Sequence, residues 1–168
     1  MNQLTRAHPY KCLLMAVGAV IDQTSEQVMT KTPHPFVLPA KLSSGLGRVW
    51  DYWDGLKRGG NEIPFWDDVK LSSLAGLEGH LLLIDAFEAP QRFRVNTVGK
   101  DIRDWYGADI VGKFADEIEA KGPLAHFAAQ ASATATEPTY YHNGFTRLLL
   151  PLWGNGYVSM LLGAVERA

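Results

Sequence analysis

Cysteine is nearly absent from this chain of 168 residues, which has only Cys12. A single thiol excludes an intramolecular disulfide and a zinc site built on paired thiolates. The formal net charge is −2, from 16 basic and 18 acidic residues, and no run of Lys or Arg occurs. A nucleic-acid-binding protein would need a basic footprint. The composition therefore favours a cytoplasmic protein without a nucleic-acid partner.

Catalytic motifs are missing as well. No serine lies in a Gly-x-Ser-x-Gly elbow, and no Gly-rich loop precedes Lys-Ser or Lys-Thr. The five histidines show neither an i, i+4 pair nor a His-Glu-x-x-His arrangement. These absences disfavour a serine nucleophile, a phosphate-binding loop and a zinc site. The sequence predicts a protein that is not an enzyme and has no metal site.

No apolar run is long enough to cross a bilayer, which needs about 20 residues. The run at residues 12–21, CLLMAVGAVI, follows Arg6 and Lys11 and so imitates a signal peptide, but no small-x-small cleavage site comes after it. Two other interpretations are open. The run forms a short packing helix, or translation starts at Met29.

The length fits one domain with an extension, and such a domain buries roughly 70% of the surface of its unfolded chain. Residues 32–39, TPHPFVLP, contain three prolines and are typical of an extended linker. We therefore expect an N-terminal extension and linker over residues 1–40 and a folded domain over residues 41–168.

The central segment, residues 93–113, reads FRVNTVGKDIRDWYGADIVGK. Its first part alternates apolar and polar residues, as a half-buried strand does. Gly99 then permits a turn. Trp105 and Tyr106 follow at helical spacing, so a short helix should press an aromatic face onto the sheet.

A helix over residues 44–57 is predicted by apolar residues at i, i+3 and i+4 spacing. These residues are Leu46, Val49, Trp50, Trp53 and Leu56. Trp50 and Trp53 would bury a large aromatic area, either in the core or at the interface of a homodimer.

The remaining patterns complete an α+β fold. Strands are expected at residues 81–87, 93–98, 139–142, 145–152 and 157–165, and Gly-Asn-Gly joins the last two. Helices are expected over residues 67–77, over residues 114–120, and from residue 124 to the stretch before Pro138. Hairpins at both ends of the domain predict one five-stranded antiparallel sheet with flanking helices.

Three blocks of this sequence, in this order, resemble the bacterial single-domain PAS family, whose members have a Trp-rich leading helix. They are VWDYWDGLKRGGNEIP, the central segment, and TRLLLPLWGNGYVSMLLGAVE, which together cover roughly residues 46–166. The resemblance implies a PAS-like fold in which a short helix walls a small cavity. It also implies a sensory or regulatory role in signal transduction, through small-molecule binding, docking to a signalling protein, or both.

The resemblance leaves the cofactor unknown. Flavin photosensors of the light-oxygen-voltage type need a cysteine in the central helix, and Cys12 lies far outside it. Haem-binding members use a histidine from the helix after the central segment, where His126 falls. A histidine next to Phe127 on a helix is more typically a packed or surface residue.

Candidate ligand contacts follow from this layout. Trp105 and Tyr106 would line a cavity, or else simply fill the core. His126, His142 and the tyrosines Tyr140 and Tyr141 would lie near its mouth. Strand alternation lets only one of the two tyrosines face inward, and Tyr140 is the predicted ligand contact.

Arg147 is the strongest single candidate, because a guanidinium in an apolar strand needs an anionic partner. That partner is a carboxylate ligand or an internal ion pair with Asp85, Asp101 or Asp104. Asp85 also carries the rival interpretation, a small cavity enzyme of the isomerase or hydratase type that uses it as a base. A third possibility is a pure interaction module with a filled core.

Overall fold

The computed structural model describes residues 35–168. The expectations for Cys12, the apolar run and the start of the linker lie outside these residues. The helices are α1 (Ser44–Gly55), α2 (Lys100–Tyr106) and α3 (Phe127–Thr134), and the strands are β1 (Leu81–Glu88), β2 (Gln91–Val98), β3 (Thr139–Asn143), β4 (Phe145–Gly154) and β5 (Tyr157–Arg167).

The five strands form one antiparallel sheet in the order β2-β1-β5-β4-β3. This confirms the predicted α+β architecture, and it is consistent with a PAS-like fold. Strand β4 is buried almost throughout because helices cover both faces of the sheet at its centre. None of the helices in residues 35–168 is long and apolar enough to cross a membrane.

Side-chain alternation divides the core into two clusters, one on each face of the sheet. On β1, Leu82 and Ile84 join the cluster beneath α2 and α3, whereas Leu81 joins the cluster beneath α1. Adjacent residues of one strand therefore face opposite sides of the sheet. Residues two apart along a strand share a face and pack in the same cluster.

Helix α1 is fixed at its start and along its buried face. The Ser43 hydroxyl accepts a hydrogen bond from the Leu46 amide at 3.3 Å and donates one to Glu166 at 2.5 Å. Trp53 is 1% exposed, and its indole Nε1 donates to the Pro151 carbonyl at 2.8 Å. The helix is thus tied to both β4 and β5.

We expect Trp53→Phe to lower the free energy of unfolding by about 2–3 kcal/mol, because it opens a cavity and leaves the Pro151 carbonyl without its donor. Urea denaturation measures the change. Trp66→Phe is the matched control, since Trp66 is 44% exposed. Equal losses in the two variants would contradict the buried role of Trp53.

The helix predicted over residues 67–77 is wrong. The structure has two short 3-10 turns there, Trp66–Asp68 and Leu71–Leu74, separated by extended backbone. The Tyr52 hydroxyl accepts from the Lys70 amide at 2.6 Å and donates to the Lys70 carbonyl at 3.2 Å. The Lys70 carbonyl also accepts from the Ser73 amide at 2.9 Å, which opens the second turn. The Tyr52 hydroxyl thus holds the extended residue that separates the two turns.

The helix predicted over residues 114–120 is also wrong. This stretch instead continues a segment that bonds along the outer edge of β2. The Val95 amide donates to the Lys113 carbonyl at 2.9 Å, and the Ala115 amide donates to the Phe93 carbonyl at 2.7 Å. The acidic Asp116, expected on the outer side of a helix, pairs with Arg92 at 2.9 Å.

The opposite edge of the sheet is β3. The Tyr140 amide donates to the carbonyl of Phe36 at 3.1 Å, and the Phe36 side chain is buried. Residues just before α1 thus pack on the folded domain.

Candidate functional site

Arg147 of β4 is fully buried on the sheet face that α3 covers. Its Nε donates to Gln130 Oε1 at 2.6 Å. Its Nη1 and Nη2 donate to the carbonyls of Pro123 at 2.6 Å and Ala125 at 2.8 Å. All three acceptors are neutral, and all come from the chain between Pro123 and Gln130. The guanidinium therefore holds this stretch against the sheet.

The predicted ion pair of Arg147 with an aspartate is wrong. None of the described carboxylates forms an ion pair with it. Asp85 lies four residues from Leu81 on β1 and so is on the same face of the sheet, the one that α1 covers. There Arg94 binds it at 2.8 Å. Asp101 and Asp104 belong to α2, and each pairs close to its own helix.

The charge of Arg147 is consequently buried without an anion. Burial lowers the pKa of its guanidinium well below its ordinary value, to about 9, and the nearby Tyr141 phenol opposes this shift. Arg147 still carries its proton at neutral pH. Its Cζ lies 5.2 Å from the ring centroid of Tyr141 and 5.4 Å from that of Phe127, so two aromatic faces partly compensate the charge.

The backbone over Arg147, residues 122–126, forms what we call the strap. Left-handed residues stand at both ends, with φ of 52° at Gly122 and 55° at His126. Such a conformation costs a non-glycine residue roughly 1–2 kcal/mol. Because Ala125 is not helical (ψ 133°), α3 begins at Phe127 and not at residue 124 as predicted. The strap thereby turns two carbonyls towards the guanidinium.

Trp105 and Tyr106 lie half-buried on α2 and pack against the core beneath α2 and α3. The Trp105 ring lies 5.6 Å from that of Phe145 and 5.2 Å from that of His80. The Tyr106 hydroxyl donates to the Glu119 carbonyl at 3.2 Å. These contacts place both aromatic residues close to the strap's end of the sheet as packing groups.

The two tyrosines of β3 are adjacent in the strand and so face opposite sides of the sheet. Tyr141 pairs in register with Arg147 and faces it, whereas Tyr140 pairs with Leu148 and packs on the α1 side. The structure therefore brings Tyr141, and not the predicted Tyr140, to the arginine. Tyr140 does not share a site with Trp105 or the other predicted contacts.

His126 is exposed, and its ring centroid lies 5.6 Å from that of Tyr141. It packs on the outside of the domain rather than facing into the apolar core, where a haem would have to be enclosed. His126 therefore does not fit an axial ligand. Within residues 35–168, no cluster of three or more His, Cys, Asp or Glu residues is placed to hold a metal ion.

The sequence does not reveal the contacts that His80 makes. Its Nδ1 lies 2.9 Å from the Val165 carbonyl, and its Nε2 lies 3.4 Å from Asp101 Oδ2. The residue joins β5 to α2 through contacts that are distant along the chain, so no local pattern marks it. Gln130 is missed for the same reason.

Of the two tryptophans expected at an interface, Trp53 is in the core and cannot contact a partner directly. Trp50 is half-buried and lines an open groove of about 430 Å³ beside Leu38 and Leu42. The centroids of the Trp50 and Trp53 rings lie 5.3 Å apart. A molecule bound in the groove would therefore contact Trp50, which in turn packs on the buried Trp53.

Asp85 is engaged on both oxygens. Its Oδ2 accepts from Arg94 Nη2 at 2.8 Å, and its Oδ1 accepts from Asn96 Nδ2 at 3.1 Å. It lies on the face of the sheet opposite Arg147, and a substrate would have to displace both donors to reach it.

Comparison with known proteins adds no assignment. No protein-family model matches the chain. No curated protein is significantly similar to it.

Proposed function

We propose that the chain is a PAS-like sensory or regulatory module of bacterial signal transduction, which acts by binding a small molecule, by docking to a signalling protein, or by both. Support comes from the fold together with the three sequence blocks that resemble the single-domain PAS family. The observation that carries the ligand-binding part is Arg147, a buried cation without an acidic partner. Apolar side chains of similar volume often stabilise a core at least as well as buried charged groups do. The presence of a buried charge therefore suggests a role in binding.

The position of the strap offers a route from a ligand to a surface. The strap bonds to the buried guanidinium through the Ala125 carbonyl and ends at the exposed His126, and α3 starts directly after it. A ligand that changed the bonds of Arg147 would shift this outer surface. Coupling of about 1–3 kcal/mol between a ligand and a docking surface is typical of such regulation.

The enzyme alternative rests on Asp85, and its surroundings do not favour it. Two donors bind its carboxylate, and it lies on the face of the sheet opposite the core on which Trp105 and Tyr106 pack. We therefore assign to Asp85 the role of stabilising the pairing of β1 with β2.

We expect Asp85→Asn to lower the free energy of unfolding by about 1 kcal/mol, because Arg94 and Asn96 lose a charged acceptor. Urea denaturation measures this loss, and Asp104→Asn on the exposed side of α2 serves as the control. Ligand binding should be unchanged in both variants. A turnover present in the wild type and abolished by Asp85→Asn would instead support the enzyme.

Native mass spectrometry of the full chain, purified from its own cells, tests the proposed function. We expect a complex that releases a small molecule on denaturation, or one that contains a second protein at fixed stoichiometry. A species with neither companion would contradict the proposal. The same spectrum tests the expected homodimer, which a monomer mass at working concentrations would contradict.

A further inference from the structure

We propose that Arg147 is the binding group for a small organic carboxylate, which enters between the strap and Tyr141. This inference rests on the proposed function and names the chemistry of its ligand. A carboxylate would supply the negative charge that the surroundings of Arg147 lack.

The first argument is the number of donors. A guanidinium has five N–H groups. Three of them bond to Gln130, Pro123 and Ala125, one from each nitrogen. No acceptor within residues 35–168 bonds to the remaining two, one on each terminal nitrogen. A carboxylate that reached both terminal nitrogens could accept from these two N–H groups at once.

The second argument is charge. The present acceptors are an amide oxygen and two backbone carbonyls, so the charge of the guanidinium is offset only by neutral dipoles and by the two aromatic rings. Hydrogen bonds to an ionised acceptor are roughly twice as strong as those to neutral ones. A single buried cation matches a monoanion, whereas a phosphate dianion would leave an excess negative charge in the core. This balance favours a carboxylate.

The third argument is access. Arg147 is fully buried, but the groups outside it become more exposed step by step: Tyr141 is half-buried and His126 is exposed. The Tyr141 ring packs on the guanidinium, on the ring of the exposed His126 and on the ring of the buried Phe36. A rotation of the Tyr141 side chain would uncover the guanidinium without displacing a buried backbone hydrogen bond.

The surroundings also indicate the rest of the ligand. The rings of Phe127 and Tyr141 lie beside the guanidinium, and Phe145 packs on the same face of the sheet. A planar apolar body attached to the carboxylate would replace ring contacts that the Tyr141 side chain gives up.

The test is a titration of the full-length protein with benzoate, acetate and the neutral control benzamide, followed by nitrogen-15 NMR of the Arg147 Nε–H group. We expect a saturable shift of this signal with benzoate, a weaker one with acetate and none with benzamide. Because the wild-type protein is used, the result does not depend on a variant that folds poorly. An unchanged Arg147 signal with both carboxylates would overturn the proposal, as would an equal response to benzamide.

Variants then distinguish the role of Arg147, which binds the carboxylate, from that of Tyr141, which covers Arg147. Arg147→Lys should weaken benzoate binding at least about tenfold, because a lysine cannot form the two-pronged pair. Arg94→Lys, on the opposite face, should leave affinity unchanged. Tyr141→Ala should speed association, whereas Tyr141→Phe should not. Equal benzoate affinity in Arg147→Lys and the wild type would count against the assignment.

Inorganic phosphate is the competing anion. A shift of the Arg147 signal by phosphate and by neither carboxylate would overturn the carboxylate assignment. Release of a neutral small molecule in the mass spectrum, together with a silent Arg147 signal, would leave the proposed function standing while this inference failed.

Discussion

Replacing Arg147 by methionine should lower the free energy of unfolding by about 3–5 kcal/mol, because three buried acceptors lose their donor while the cost of burying the charge is relieved. Methionine fills much of the same volume but cannot donate a hydrogen bond. The Gln130 amide oxygen and the carbonyls of Pro123 and Ala125 would each lose the donor that now satisfies them. Each buried unsatisfied acceptor costs about 1–3 kcal/mol. Urea denaturation gives the total.

The local part of this loss should appear in the strap. Hydrogen exchange of the Leu124 and Ala125 amides should become faster relative to the rest of the domain, because nothing then ties the strap to β4. Arg94→Met, which removes an arginine from the opposite face, should leave strap exchange unchanged. A methionine variant with wild-type stability and slow strap exchange would show that packing of the buried Leu124 side chain alone holds the strap.

Replacing Gly99 by alanine should destabilise the domain by about 3 kcal/mol, the upper end for inserting one methyl group into a tightly packed site. The backbone of Gly99 has φ −66° and ψ 155°, which any residue adopts, so conformational strain is not the cause. The cause is space. A β-carbon there would lie 2.2 Å from the Gly79 carbonyl oxygen and 2.5 Å from that of Glu78.

Since both obstructing atoms belong to the backbone, α2 must move away from the turn before β1. The Trp105 ring, which packs on His80 beside that turn, should report this movement as a change in fluorescence. Gly47→Ala is the control, because Gly47 lies in α1 and a β-carbon there meets nothing within 4 Å. It should stabilise the domain by up to about 1 kcal/mol. A Gly99→Ala variant as stable as the wild type would contradict the crowding.

The sheet could be predicted from the sequence because strand periodicity and turn residues are local signals. The Gly-Asn-Gly turn indicated the β4–β5 hairpin, and left-handed φ angles at Asn155 and Gly156 show why those residues stand there. The leading helix was predictable for the same reason, since its apolar stripe and its Ser43 cap lie close together in the chain.

The failed helix predictions have a common physical cause. Residues 114–120 carry a helix-like acidic pattern, but the Ala115 amide bonds to Phe93 of β2. These two residues are distant along the chain, so no local pattern indicates the contact. In residues 67–77 one hydroxyl, that of Tyr52, occupies both backbone groups of Lys70. Tertiary hydrogen bonds outweighed local propensity in both places.

Only part of the candidate site could be predicted from the sequence. Arg147 stood out because a charged residue interrupts an apolar strand, and the structure buries it fully. Its partners could not be predicted, since two of the three are backbone carbonyls, which every residue has. The choice between Tyr140 and Tyr141 required the register of β3 on β4, which an alternating pattern alone does not give.

The segment that runs along β2 restricts how this protein can assemble. A strand with free amides and carbonyls at the border of a sheet is a template on which another chain can add. Here Val95 already uses its amide on Lys113 and its carbonyl on Gly112, so an incoming strand would first have to strip that segment away. Growth of the sheet by copies of the chain, and capture of an extended peptide in the same manner, are both obstructed on this side. A partner that reaches this side must therefore recognise side chains rather than backbone.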